Sequence, residues 1–280
     1  TLPLSLYFFH GVSVAGIFLN LLVIPLMSLL FFLLVLGGCL SQFDITSVLG
    51  CGCLYAGGKT IDFYEVLCKG AEKVPGGYLT LGYRGFIFSV IYYLVLAVFT
   101  AILYQWTKKE RASQQKSREK KNRGRNMAKK ILSFSTVLCL IVFVLVTGRK
   151  DTFLTVLDVG QGDGILFHNR TGEVVFIDGG STSKKQIGNY IIKPALTYYG
   201  ISHIDNWIIS HTDEDHISGL MELLETGYPI GRLILPKLNE TNEKEQLLKQ
   251  MAKKNQTQVY YFSINDRIVL KEGILISLHP

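Results

Sequence analysis

The most constraining feature of this sequence is a long uncharged segment near its start. No Asp, Glu, Lys or Arg occurs from Leu2 to Phe43, and residues 12–40 are almost wholly apolar. A helix of about 20 apolar residues spans the hydrocarbon core of a bilayer and keeps its backbone hydrogen bonds internal. The segment therefore predicts a membrane-spanning helix at about residues 12–40, which Pro25 is expected to kink.

Further segments extend the membrane prediction. Residues 86–106 are apolar, with Tyr and Trp near their ends, and predict a second span. Residues 131–148 predict a third, shorter one. Residues 41–85 mix single charges with apolar positions, which is typical of an amphipathic interfacial region. We therefore predict that residues 1–107 are a transmembrane segment of a multi-pass protein.

The positive charge of the chain is concentrated in one block. Residues 108–130 hold eleven Lys or Arg and two Glu, whereas residues 1–107 balance at four against four. Residues 149–280 carry fourteen basic and sixteen acidic side chains. Because basic loops stay in the cytoplasm, we predict that residues 108–130 are cytoplasmic and that residues 149–280 lie on the extracytoplasmic side. Binding of nucleic acid by the block is the alternative.

Residues 149–280 show the pattern of an α/β sandwich. Apolar runs bounded by turn residues predict strands at 153–159, 165–168, 173–177, 207–209, 232–235 and 259–262, and a hairpin of 267–270 with 274–278. Helical spacing predicts helices at 185–199, from 217 onward and at 240–254. Gly200 is the expected C-cap of the first helix, and Leu220, Leu223 and Leu224 are expected to share one face of the second. Strands come first, and strands then alternate with helices, which excludes a helical bundle.

A cluster of possible metal ligands follows the strand predicted at 207–209. It consists of His211, Asp213, Asp215 and His216. This spacing does not place all four side chains on one face of a helix, so we expect them to converge from a loop at the strand end. Imidazole and carboxylate groups suit Zn, Mn or Fe. The alternative is a solvated acidic loop whose histidines cap the next helix.

Four other polar residues are candidates for the same site. Asp178 ends a predicted strand before two glycines, where it could orient a ligand histidine or only form an Asx-turn. Asp158, Gln161 and Asp163 lie around a glycine-spaced turn. They could line the mouth of the site or only bind the amides of their own turn.

The ligand spacing resembles the metal motif of the metallo-β-lactamase fold, His-x-His-x-Asp-His, with Asp213 at the position of the second histidine. The resemblance implies that His211 and Asp213 serve one metal ion and that Asp215 and His216 serve a second. A carboxylate is a harder ligand than an imidazole, so its presence at the first site favours harder cations. Mn or Mg therefore becomes more plausible there, and Zn less so.

Longer segments resemble ComEC-type DNA-internalisation proteins. They are residues 154–163, 177–180 and 211–220 and, near the N-terminus, residues 7–9 and 15–26. Members of this family keep an aspartate at the position of Asp213. The resemblance implies that residues 1–107 are the end of a competence channel domain. It also implies that residues 149–280 are the N-terminal part of a metallo-β-lactamase-like αββα domain, with the second half expected beyond residue 280.

The same resemblance implies a function. The protein would be a channel in the bacterial cell membrane that takes up single-stranded DNA in natural transformation, together with other uptake components. Its outer domain would degrade the complementary strand with two divalent ions, Mn or Zn with Mg as an alternative, and Asp215 would orient the attacking hydroxide. Two alternatives are a domain that guides DNA without cleaving it and a membrane-tethered hydrolase of a small ester or lactone. Because half a sandwich leaves an open sheet edge, we expect residues 1–280 alone to bind metal weakly.

Overall fold

The computed structural model describes residues 2–114 and 151–278, apart from residues 73, 75 and 238–241. The third predicted span, residues 131–148, lies outside the described residues, as does the larger part of the basic block 108–130. The chain divides into two compact units. Residues 11–79 form one unit, and residues 1–10 together with residues 80–280 form the other.

The unit of residues 11–79 is built on two long helices, α2 (Val14–Leu40) and α3 (Ser47–Glu72). The hydroxyl of Ser13 caps α2 by accepting a hydrogen bond from the Gly16 amide at 2.9 Å. The two helices pack closely at Gly50, where a Cβ atom would lie 2.9 Å from the Gly37 carbonyl oxygen. A short pair of strands, β1 (Gly11–Ser13) and β2 (Tyr78–Thr80), completes this region.

Among the helices that the structure describes, α2 is the one that is long and apolar enough to cross a membrane. Large apolar side chains on it are exposed, as Phe18 (72%) and Phe31 (71%) illustrate. Exposed apolar side chains along a helix of this length fit a lipid environment. Helix α2 matches the first predicted span, and α3 lies within the predicted amphipathic region.

The other unit contains two helices from the N-terminal half of the chain, α1 (Leu2–Phe9) and α4 (Phe86–Gln114). Helix α4 begins at the residue predicted for the second span. Its apolar part, Phe86–Ile102, is at the lower limit of about 17 residues for a bilayer helix. The second span therefore stays a prediction.

The rest of this unit is built on a six-stranded mixed sheet with the order β3-β4-β5-β6-β7-β8. The strands are β3 (Phe153–Val156), β4 (Gly164–His168), β5 (Val174–Asp178), β6 (Ile204–Ile208), β7 (Ile230–Pro236) and β8 (Gln258–Phe262). Strands β3 to β5 are antiparallel, whereas β5 to β8 are parallel to one another. A separate hairpin pairs β9 (Arg267–Val269) with β10 (Ile274–Ile276), as predicted.

The parallel strands are connected by helices. They are α5 (Lys193–Tyr199), which follows a π-helical segment at Gly188–Ile192, α6 (Glu214–Glu225) and α7 (Glu243–Lys254). Helix α5 ends at Gly200 in the left-handed conformation, with a φ of 79°, which confirms the predicted C-cap. This strand and helix alternation confirms the predicted α/β fold class.

Most predicted elements differ from the structure by one to three residues at an end, and two of these differences lie beside the candidate site. The strand predicted at 153–159 ends at Val156, because the chain turns at residues 157–159, where the Val159 amide donates to the Leu157 carbonyl at 2.9 Å. The helix predicted to start at residue 217 begins at Glu214. This second difference moves two candidate ligands from the loop into a helix.

The core lies between one face of the sheet and these helices. Trp207 and Phe176 are fully buried, and their ring centroids are 4.5 Å apart. Leu220 and Leu223 of α6 are also fully buried, which confirms the helix face expected from their spacing. The Trp207 indole Nε1 donates a hydrogen bond of 2.6 Å to the carbonyl oxygen of Asp178, so the core directly supports the end of β5.

We expect Trp207→Phe to lower the free energy of unfolding by about 2–3 kcal/mol. The substitution leaves the buried Asp178 carbonyl without its indole donor and opens a small cavity. Urea denaturation of the whole protein in detergent micelles, followed by the circular dichroism of the sheet, measures the loss. Tyr190→Phe, at a side chain that is 72% exposed, is the control and should change nothing. A Trp207→Phe protein as stable as the native one would contradict this account of the core.

Candidate metal centre

The candidate ligands gather at the carboxyl edge of the parallel strands. Asp178 ends β5, and His211 and Asp213 lie in the loop after β6. Asp215 and His216 lie in the first turn of α6, so the prediction that all four ligands sit on a loop is wrong for these two. The physical reason is that acidic residues are favoured in a first helical turn, where they interact with the helix dipole.

Three of the predicted ligands converge. One ligand atom each from His211, Asp215 and His216 lies within 4.8 Å of the other two. The two imidazole centroids are 3.7 Å apart, and Nε2 of His216 is 3.5 Å from Oδ2 of Asp215. Asp213 stands outside this set, but its Oδ2 lies 3.5 Å from Nε2 of His211. Two imidazoles and a carboxylate are a donor set that fits Zn or Mn.

The Nδ1 atoms of both histidines face the protein. Oδ2 of Asp178 lies 3.1 Å from Nδ1 of His216, and both side chains are nearly buried. The hydroxyl of Ser210 is 3.0 Å from Nδ1 of His211 and 3.3 Å from Nδ1 of His216. When Nδ1 carries the proton and donates it to such a partner, Nε2 presents a lone pair to a metal ion.

Asp178 and Ser210 are themselves fixed in place. Oδ1 of Asp178 accepts hydrogen bonds from the Ser210 amide at 2.8 Å and from the Ser210 hydroxyl at 3.0 Å. Asp178 has a φ of 59°, a left-handed conformation that Asp tolerates better than most residues. Ser210 could not be identified from the sequence, because a serine after a strand carries no distinguishing pattern.

Asp163 belongs to a second possible ligand set, with Asp178 and His216, in which one atom from each lies within 4.8 Å of the others. Nδ1 of His216 lies 3.1 Å from Oδ2 of Asp178, and while this nitrogen carries a proton it cannot bind an ion. The Asp163 carbonyl accepts from the Gly179 amide at 2.7 Å, which holds the glycine-spaced turn against the end of β5.

Asp158 and Gln161 contact the segment of residues 181–184. Asp158 Oδ1 pairs with Lys184 Nζ at 3.0 Å, and the hydrogen bond and positive charge of Lys184 lower the pKa of this carboxyl group. The backbone amide of Gln161 donates to the Ser183 hydroxyl at 2.8 Å. These contacts join the glycine-spaced turn to residues 181–184 and involve no candidate metal ligand. A role for Asp158 and Gln161 in lining the site therefore stays a prediction.

Glycine is required where the turn, the strand end and α6 meet. A Cβ atom on Gly180 would lie 2.2 Å from the backbone carbon of Asp215 and 2.2 Å from the His216 amide nitrogen. A Cβ atom on Gly162, whose φ is 153°, would lie 2.3 Å from the Gly180 carbonyl oxygen. The absence of side chains at these positions brings the ligand-bearing turn of α6 against the end of β5.

Both halves of the chain match known families. Residues 1–108 match the family described as Competence protein, and residues 157–277 match the metallo-beta-lactamase superfamily. The chain is 28% identical over 153 residues to ComE operon protein 3 of Bacillus subtilis, covering 49% of this chain and 20% of that protein. It is 25% identical over 255 residues to Recombination protein 2 of Haemophilus influenzae, covering 84% of this chain and 30% of that protein. The chain thus spans between a fifth and a third of the length of these curated relatives.

Proposed function

The chain belongs to the ComEC-type competence proteins, and on that premise we propose that it is part of a channel for DNA uptake in natural transformation. The part that matches the metallo-beta-lactamase superfamily, residues 157–277, is proposed to be a metal-dependent hydrolase that cleaves DNA phosphodiesters. The observation that carries the proposal is the convergence of His211, Asp215 and His216 at the strand edge.

In this proposal His211, Asp215 and His216 hold one divalent ion, and Asp213 contributes to a second one. A bound ion supplies a Lewis acid that lowers the pKa of water and polarises a phosphoryl oxygen. The side chain of Asp215 is 38% exposed, so its carboxylate is accessible to orient the attacking water and to accept its proton. Asp178 and Ser210 keep the imidazoles in the orientation that ligation requires.

The membrane part fits the same proposal. Helix α2 is long and apolar enough to cross a bilayer, and we propose that it anchors the chain in the bacterial cell membrane. We propose that residues 108–130 face the cytoplasm and that residues 149–280 face outward, where they meet incoming DNA and the other uptake components. Single-stranded DNA would pass through the channel while its complementary strand is degraded outside.

Cleavage of labelled DNA by the whole protein in detergent micelles tests the proposal. We expect Mn²⁺ or Zn²⁺ to support cleavage and His211→Ala plus Asp215→Ala to reduce the rate by at least about 100-fold. The control is His203→Ala, which removes a half-exposed histidine that faces Asp205 rather than the candidate ligands and should retain activity.

The outcomes separate the proposal from its alternatives. Metal-dependent binding of DNA without product would favour a guiding role. The excess of acidic over basic side chains in residues 149–280 disfavours that role, because it weakens binding to phosphates. Hydrolysis of a small ester or lactone, with DNA left intact, would favour a tethered small-molecule hydrolase. A native rate no higher than that of the His211→Ala plus Asp215→Ala protein would overturn the nuclease proposal.

A further inference from the structure

Thr212 is the buried residue of the loop that carries two of the candidate ligands. It is 4% exposed, whereas the side chains of His211 and Asp213 on either side are 49% and 71% exposed. The Thr212 hydroxyl oxygen accepts a hydrogen bond of 2.6 Å from Nδ2 of Asn242. The middle of the loop is therefore attached to a residue thirty positions later in the chain.

Both polar atoms of the Asn242 side chain form hydrogen bonds. Its Oδ1 atom accepts from the Glu245 backbone amide at 2.8 Å, which makes Asn242 the N-cap of α7. Because that partner is a donor, the oxygen must face the helix and the nitrogen must face Thr212. Ser and Asp cap helices as well as Asn does, so capping alone does not require the amide nitrogen.

We propose that Asn242 is a positioning residue that fixes the loop of His211 and Asp213 to the N-terminus of α7. The ends of this loop are already held. The Ser210 amide donates to Asp178, and the Asp213 carbonyl accepts from the His216 amide at 3.0 Å. The contact between Asn242 and Thr212 fixes the middle, where the backbone directs the His211 side chain towards His216. The effect of this contact on metal affinity rests on the proposed function, whereas the attachment of the loop does not.

Two variants break the contact from opposite sides. Asn242→Ser keeps an N-cap for α7 but lacks the amide nitrogen, and Thr212→Val removes the hydroxyl that accepts from it. Thr212→Ser keeps the hydroxyl and serves as the rescue variant. The matched control is Thr257→Val, because Thr257 is also buried and its hydroxyl donates to the Ile230 carbonyl at 2.9 Å, in the connection between α7 and β8.

Titration of the whole protein in detergent micelles with Mn²⁺, followed by the electron paramagnetic resonance of the free ion, gives the first readout. Partners that support metal ligands change affinity by about 10- to 100-fold when they are lost. We expect Asn242→Ser and Thr212→Val each to weaken Mn²⁺ binding about 10-fold, and the double variant to be no weaker than either alone. Thr212→Ser and Thr257→Val should bind as the native protein does.

Hydrogen exchange of the metal-free protein gives a second readout that needs no ion. Amides of residues 210–214 should exchange faster in Asn242→Ser and Thr212→Val, and at the native rate in Thr257→Val. Native exchange of this loop together with native Mn²⁺ affinity in the two variants would overturn the proposal. If the native protein bound no Mn²⁺, the metal-dependent function would fail, and the exchange rates would still decide whether Asn242 holds the loop.

Discussion

Asp178→Asn is expected to weaken the binding of Mn²⁺ or Zn²⁺ by about 10- to 100-fold while the fold persists. Oδ2 of Asp178 lies 3.1 Å from Nδ1 of His216, where it can accept a hydrogen bond from a protonated Nδ1. An amide group at that position donates a proton instead. It therefore favours the tautomer in which Nε2 of His216 carries the proton and has no lone pair for an ion.

The fold should persist because Asn replaces Asp with little change in shape. Asn tolerates the φ of 59° found at this position, and its oxygen can still accept from the Ser210 amide. Metal affinity from isothermal titration and the unfolding midpoint in urea measure the two effects separately. Asp205→Asn is the matched control, since Oδ2 of Asp205 accepts from the Val174 amide at 2.8 Å at the start of β5, and its Oδ1 faces a histidine, His203, at 3.4 Å. Native metal affinity in Asp178→Asn would show that Asp178 does not orient His216.

Gly180→Ala should destabilise the protein by about 3 kcal/mol and abolish metal binding. The added Cβ atom would lie 2.2 Å from backbone atoms of Asp215 and His216, and backbone atoms do not rotate away as a side chain does. The first turn of α6 must therefore move from the end of β5, and it carries two candidate ligands with it.

The control for this substitution is Gly172→Asn. A Cβ atom on Gly172 meets no atom within 4 Å, and Asn tolerates its φ of 83°. Thermal unfolding and Mn²⁺ titration of both variants should separate them clearly. If Gly180→Ala bound Mn²⁺ with native affinity, the close approach of α6 to the strand end would not be needed for the site.

The sequence predicted the fold wherever one local pattern dominated. The spacing of Leu220 and Leu223 correctly predicted the buried face of α6, and Gly200 correctly predicted the end of α5. The start of α6 was not predictable in the same way. Glu214 and Asp215 suit an acidic loop as well as a first helical turn, and only packing against Gly180 separates the two.

The candidate site was predictable in its residue types but not in its supporting contacts. Histidines and aspartates at short spacing indicate metal chemistry without a structure. Ser210, Thr212 and Asn242 are ordinary loop residues, and their importance depends on contacts between segments far apart in sequence. For Asp178 the sequence left two interpretations open, an Asx-turn and the orientation of a ligand histidine. In the structure its carboxylate accepts from Ser210 and faces His216, and the Gly180 amide that an Asx-turn would use donates to the Asp163 carbonyl at 3.3 Å instead.

The most direct test is an X-ray structure of the whole protein with saturating Mn²⁺ or Zn²⁺, measured at the absorption edge of the metal. The account predicts an anomalous peak about 2.0–2.2 Å from Nε2 of His211, Nε2 of His216 and the carboxylate of Asp215. Density that shows these three side chains apart, with no anomalous peak between them, would contradict it.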